Sequence, residues 1–216
     1  PLTSPKLLDV GCGTGLFSRL ASAKGFNVTG VDATAPFIEE AKKRAPSVSF
    51  SLSEMEELPF ADKSFDVICG FNSFQYAAST ENALIEAKRV LAGNGKLVVM
   101  IWGNKSECEA AAYLKAVGGL LPPPPPGAGG PFALSENQAL EKIIEKIGFN
   151  ISINHDVASI WEYPDTETAL RGLMSAGPVT KALEIAGFEK VKEVYVIKLK
   201  EFEQPNEKAE ITPVSF

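Results

Sequence analysis

Asp9-Val10-Gly11-Cys12-Gly13-Thr14-Gly15 lies between an apolar run, Lys6 to Val10, and a stripe of Leu16, Phe17, Leu20 and Ala21 that Gly25 closes. The run reads as a buried strand and the stripe as a helix. Glycines at such a junction remove the side chains that would keep a ligand off the backbone. The helix start beyond them offers N–H groups and a partial positive end, which suit a carboxylate.

Moving outward, strand and helix signals keep alternating. Asn27 to Val31, Val48 to Leu52 and Phe65 to Cys69 read as strands. Pro36 to Arg44 reads as a helix with proline in its first turn and basic residues in its last. Glu81 to Leu91 carries Ala83, Leu84, Ala87 and Leu91 on one helical face. Gly93-Asn94-Gly95 is a turn before the apolar strand Lys96 to Trp102. Strands separated by helices of this length form crossover units, so the expected fold is α/β: a Rossmann-like three-layer sandwich around a mostly parallel sheet.

Past Trp102 the pattern loosens. Helices are expected over Ser106 to Val117, Ser135 to Ile147, Thr166 to Met174 and Val179 to Ala186, and strands over Phe149 to Val157 and Val191 to Leu199. Pro122 to Pro126 should be stiff and extended, and Gly127-Ala128-Gly129-Gly130-Pro131 should bend, as either a surface linker or a lid. The polar tail after Glu203 is expected to be irregular. At 216 residues the chain suits a single domain, with 1–102 as the ligand-binding half and 103–216 as a second half with a lid-like insertion.

The net charge of −6 offers no electrostatic footprint for nucleic acid or an anionic membrane, so a small molecule is the expected partner. No apolar run approaches the ~20 residues of a membrane helix. Cys12, Cys69 and Cys108 are few and scattered, which fits three reduced thiols in a cytoplasmic protein rather than a disulfide framework or a metal site. The chain opens at Pro1 and not at Met, so a preceding segment is expected. No oligomeric interface is read from the sequence.

Glycine spacing separates two ligand classes. A dinucleotide fingerprint needs a small residue three positions after its second glycine. Counted from Gly13 that position holds Leu16, and the third glycine comes at Gly15 instead. An acidic residue followed by this glycine pattern resembles the class I S-adenosylmethionine-dependent methyltransferases, here a small-molecule, type 11-like domain. The resemblance covers Lys6 to Trp102 with specific motifs. It implies S-adenosyl-L-methionine as cofactor, S-adenosyl-L-homocysteine as product, and a seven-stranded sheet whose last strand, near Val191 to Leu199, inserts antiparallel between the fifth and sixth.

The resemblance places Asp9, Gly11, Cys12, Gly13 and Gly15 at the cofactor, followed by Asp32, Ala33 and Phe37. Asp32 ends the second strand about 20 residues past the glycine turn, where a carboxylate can accept both hydroxyls of a ribose diol; the competing role is a cap for the helix after it. Glu54, with Met55 beside it, occupies the place where the family usually has an Asp facing the adenine amino group. Phe71 and Asn72 follow the fourth strand and should border the cofactor, with Gln75 and Tyr76 nearer the acceptor; Phe71 and Phe74 could instead be core aromatics. No catalytic side chain and no metal ligand is assigned. The sulfonium makes the methyl electrophilic unaided, and a thiolate, carbanion, phenolate or neutral amine acceptor needs little or no base. The only histidine, His155, is read as structural or exposed. The rivals are a nicotinamide oxidoreductase, which the glycine spacing disfavours, and a non-catalytic S-adenosylmethionine-binding protein.

Overall fold

A computed structural model describes residues 4–123, 130–202 and, as backbone, 209–215. The chain divides into two compact units, Pro1–Ile101 with Ala133–Ile153, and Trp102–Phe132 with Asn154–Phe216. The chain leaves the first unit after Ile101 and returns to it over residues 133–153.

The first unit is built on five parallel strands: β1 (Lys6–Val10), β2 (Asn27–Asp32), β3 (Ser49–Leu52), β4 (Phe65–Phe71) and β5 (Leu91–Met100). Their spatial order is β3-β2-β1-β4-β5. β1 pairs with β2 through Leu8↔Thr29 and with β4 through Leu8↔Ile68. The helices α1 (Leu16–Ala23), α2 (Ala35–Arg44) and α3 (Thr80–Val90) link the strands. Alternate side chains leave the sheet on opposite faces. Leu7, Val28 and Cys69 pack with Ala21 of α1 and with Ile38 and Ala41 of α2. Leu8, Val31 and Ile68 pack with Ala83, Leu84 and Ala87 of α3. A sheet buried on both faces needs near-continuous apolar strands, and this is why the first half was readable. Because the order reverses between β1 and β4, the ligand crevice of such a fold lies at their carboxyl ends.

After β5 come α4 (Ala111–Gly118), α5 (Ala139–Lys146), β6 (Ala158–Tyr163), α6 (Thr166–Met174), α7 (Gly177–Ala186), α8 (Phe188–Leu199) and β7 (Ala209–Ser215). α5 joins the first unit, where Leu140, Ile143 and Ile144 meet the α3 side of the sheet. In the second unit, α4, α6, α7 and α8 enclose Tyr113, Leu173, Ala182, Val191, Tyr195 and Leu199.

Three expectations for this half are corrected. Val191 to Leu199 is a helix: burial at Val191, Tyr195 and Leu199 has a spacing of four, and these residues fill the core of a helical group. Its β-branched residues suggested a strand, and tertiary packing overrides that preference. Phe149 to Val157 forms no strand; residues 150–157 are exposed and only β6, starting at Ala158, pairs. The tail is not irregular throughout, because β7 forms an antiparallel pair with β6. The structure therefore has a five-stranded parallel sheet and a separate two-stranded antiparallel sheet among the described residues, not seven strands in one sheet. Most of the Pro122–Pro131 segment, residues 124–129, lies outside the described residues, as does 203–208.

Candidate functional site

The turn between β1 and α1 uses its glycines in two ways. Gly11, Gly13 and Gly15 all have positive φ, at 71°, 53° and 80°. A Cβ on Gly11 would come within 2.3 Å of Ser73 Cβ, and one on Gly15 within 3.0 Å of Ala41 Cβ and Phe50 Cζ. A Cβ on Gly13 would meet nothing within 4 Å. The outer glycines thus let the chain pack against itself, while the middle one borders open space. The Gly11 and Cys12 amides both donate to Val31 O, at 2.8 and 2.9 Å, which fixes the turn to the end of β2.

Asp32 sits at that end. One carboxylate oxygen accepts the Gly13 amide at 2.9 Å and the other accepts the Thr34 amide at 2.8 Å. The second contact is an Asx-type tie, and the cap position of α2 belongs to Thr34. Each oxygen keeps a further lone pair for a hydroxyl donor. The sequence foresaw a choice between ribose and cap, but not the tie to Gly13, a contact between residues 19 apart.

Asp9 is only 2% exposed and accepts the Ser18 hydroxyl at 2.5 Å, joining β1 to α1 behind the turn. Burial is the main cause that pushes its carboxyl up to about 6; the Ser18 bonds oppose it and the Asp32 charge adds to it. Burial also pushes up the Cys12 thiol, helped by Asp9 and Asp32, and raises Cys69 to about 12. All three cysteines are free and buried, so they are poor nucleophiles.

Beyond Asp32, Ala33 and Phe37 are exposed. In β3, Leu52 pairs in register with Asp32 and is 57% exposed; the sequence reading missed it, although it ends its strand. The Ser53 amide donates to the main-chain Asp32 O at 3.1 Å, so the segment carrying Glu54 and Met55 starts at the end of β2. Glu54 is exposed, and Met55 packs partly against the core.

At the end of β4, the Phe71 ring lies 4.3 Å from that of Phe17, tilted by 52°. Asn72 has φ 52°; its amide donates to Met100 O at 2.8 Å, and its Oδ1 accepts from Gln75 Nε2 at 3.0 Å. Phe74 is fully buried and belongs to the core, whereas Tyr76 is 55% exposed. Ser73 Oγ, packed against Gly11, and Gln75 Oε1 are buried without hydrogen-bond partners. His155 is exposed. A 240 Å³ cavity lined by Lys6, Asn27 and Phe65 lies at the amino ends of the strands, away from the glycine turn. Among the described residues no cluster of three potential metal ligands occurs, and no helix is long and apolar enough to cross a membrane.

A family profile described as a methyltransferase domain matches residues 8–99, which run from β1 into β5, include every candidate site residue and contain none of the second unit. Residues 8–99 are thus similar to methyltransferase domains. The chain is 27% identical over 177 residues to malonyl-[acyl-carrier protein] O-methyltransferase of Erwinia pyrifoliae, covering 82% of this chain and 63% of that protein. It is 35% identical over 97 residues to demethylmenaquinone methyltransferase of Thermotoga maritima, covering 44% of this chain and 42% of that protein. The chain thus spans less than two thirds of either relative. The solved structure of the YcgJ protein of Bacillus subtilis superposes with a TM-score of 0.62 at 19% identity, covering 99% of this chain and 89% of that one, a likeness of fold. Within the region that profile matches, the glycine turn, Asp32 and the Glu54 segment share the carboxyl end of the sheet.

Proposed function

We propose that this chain binds S-adenosyl-L-methionine across the Gly11–Gly15 turn and transfers its methyl group to a small-molecule acceptor, leaving S-adenosyl-L-homocysteine. The observation that carries the reading is the pairing of an open-faced Gly13 with the Asp32 carboxylate that holds its amide. The missing side chain admits a ligand to the backbone, and the carboxylate beside it suits a diol. The bound cofactor supplies an electrophilic methyl carbon. Asp32 accepts the ribose hydroxyls, Glu54 and Met55 face the adenine, and the start of α1 receives the methionine carboxylate. Phe71 and Asn72 border the cofactor, and Gln75 and Tyr76 stand on the acceptor side.

Transfer then requires a nucleophile held in line with the methyl–sulfur bond, roughly 3 Å away, with water excluded. The two relatives carry different acceptors in their names, a malonyl carrier protein and demethylmenaquinone. A panel spanning carboxylate, phenolic, thiol and amine acceptors therefore suits this chain. The test is calorimetric titration with S-adenosylhomocysteine and with NAD, followed by transfer of labelled methyl to that panel. Saturable S-adenosylhomocysteine binding at least tenfold tighter than NAD is expected. Tighter NAD binding would overturn the reading, and cofactor binding without transfer to any acceptor would favour a non-catalytic binder.

A further inference from the structure

The segment that leads from β3 to β4, residues 53–64, contains neither helix nor strand. It nevertheless carries Glu54 and Met55 and must hold them still. Its internal bonds are few: Ser53 Oγ donates to Glu54 O at 3.0 Å and to Glu57 O at 3.1 Å, and the Glu57 amide reaches Glu54 O at 3.4 Å. Much of the remaining support comes from α3. Arg89 Nη2 donates to Leu58 O at 2.9 Å, and Nη1 to Phe60 O and Asp62 Oδ1, both at 2.8 Å. Its Nε and Nη2 also grip Glu86, at 2.7 and 2.8 Å, so the whole guanidinium fork is engaged. Glu86 in turn accepts the Leu58 amide at 3.0 Å, and Glu56 accepts the Ser79 amide at 3.1 Å. The Arg89 side chain is 32% exposed, so these bonds are partly sheltered from water.

We propose that Arg89, with Glu86 and Asp62, is a positioning residue for cofactor affinity: it fixes the loop that brings Glu54 and Met55 to the adenine while touching no ligand itself. The inference rests on the S-adenosylmethionine reading above. A planar fork reaching two carbonyls and two carboxylates cannot be replaced by an ammonium, so Arg89→Lys keeps the charge and loses the clamp.

The experiment titrates S-adenosylhomocysteine into the wild type, Arg89→Lys, Glu54→Ala and the double variant, with melting temperatures of the same samples. Arg89→Lys is expected to weaken binding at least fivefold. In the Glu54→Ala background the same change should cost less than twofold, because the contact it positions is already gone. Ser79→Ala, which removes only the α3 cap bond to the Asn82 amide, is the destabilised control and should bind like the wild type. If Arg89→Lys does not fold, Asp62→Ala removes one arm at an exposed position and should weaken binding about twofold. Arg89→Lys or, in its place, Asp62→Ala with wild-type affinity would overturn the proposal while leaving the cofactor reading intact, and so would an Arg89→Lys penalty that persists in full without Glu54. A wild-type protein that does not bind S-adenosylhomocysteine would overturn the reading itself and the proposal with it.

Discussion

Gly13 and Gly11 have similar backbone angles but opposite surroundings, so their substitutions should behave differently. Gly13→Ala places a methyl group in open space at φ 53° and should cost about 1 kcal/mol of stability, from the left-handed conformation alone. Gly13→Val should likewise fold but abolish cofactor binding. Gly11→Ala drives a Cβ into Ser73 and should lower the melting temperature well below that of Gly13→Ala. Calorimetry and thermal denaturation of these variants check both claims; normal affinity in Gly13→Val would place the ligand elsewhere. Asp32→Ala should weaken S-adenosylhomocysteine binding by at least roughly tenfold, since charge-assisted bonds are worth about 1.5–3 kcal/mol each. It should also lower the apo melting temperature, because the Gly13 and Thr34 amides lose their acceptor. Asp32→Asn should retain part of the affinity. A variant that melts early but binds normally would leave Asp32 only its structural tie.

Asp9 gives the site a pH dependence whose sign is fixed. Its carboxyl is raised to about 6 from an ordinary value near 4. A group raised on folding contributes its stability fully below the unfolded value and loses that contribution as pH climbs through the folded one. Asp9 therefore favours the folded state at pH 4 and gives up as much as about 3 kcal/mol by pH 8, at about 1.4 kcal/mol per unit. Asp9→Asn, whose amide can still accept the Ser18 hydroxyl, should flatten this part of the profile and melt higher than the wild type at pH 8. Parallel melting curves from pH 4 to 8 would contradict the assignment.

Among the elements, legibility followed burial. β1, β2 and β4 were readable because Leu8, Val10, Val31 and Ile68 are nearly inaccessible and the sheet is covered on both faces. α3 was readable from Ala83, Leu84 and Ala87, all fully buried. Leu84→Ala should accordingly cost about 2–5 kcal/mol in urea unfolding; a loss under about 1 kcal/mol would mean that the α3 face is not packed as described. α8 was misread because Val191, Val194, Val196 and Ile197 favour strands, and only the core around Tyr195 turns them into a helix. Phe149 to Val157 alternates in type but found no ladder, since alternation shows what a strand can bury and not which edge will accept it. The glycine turn and the place of Asp32 at the end of β2 were legible from spacing. The Asp32 tie to Gly13 and the Arg89 fork were not, because both join residues distant in sequence through side-chain geometry.

Over the whole chain, the two units divide the account. The first holds the glycine turn, its carboxylates and the residues after β4 on one parallel sheet, in the region the methyltransferase profile matches. The second is a helical group with an antiparallel strand pair. The most direct test is a crystal structure with S-adenosylhomocysteine bound. Density is expected across the open face of Gly13, with both ribose hydroxyls within hydrogen-bond distance of Asp32 and the adenine beside Glu54 and Met55. Ligand density away from the carboxyl ends of β1 and β2, or a ribose that does not reach Asp32, would contradict this placement.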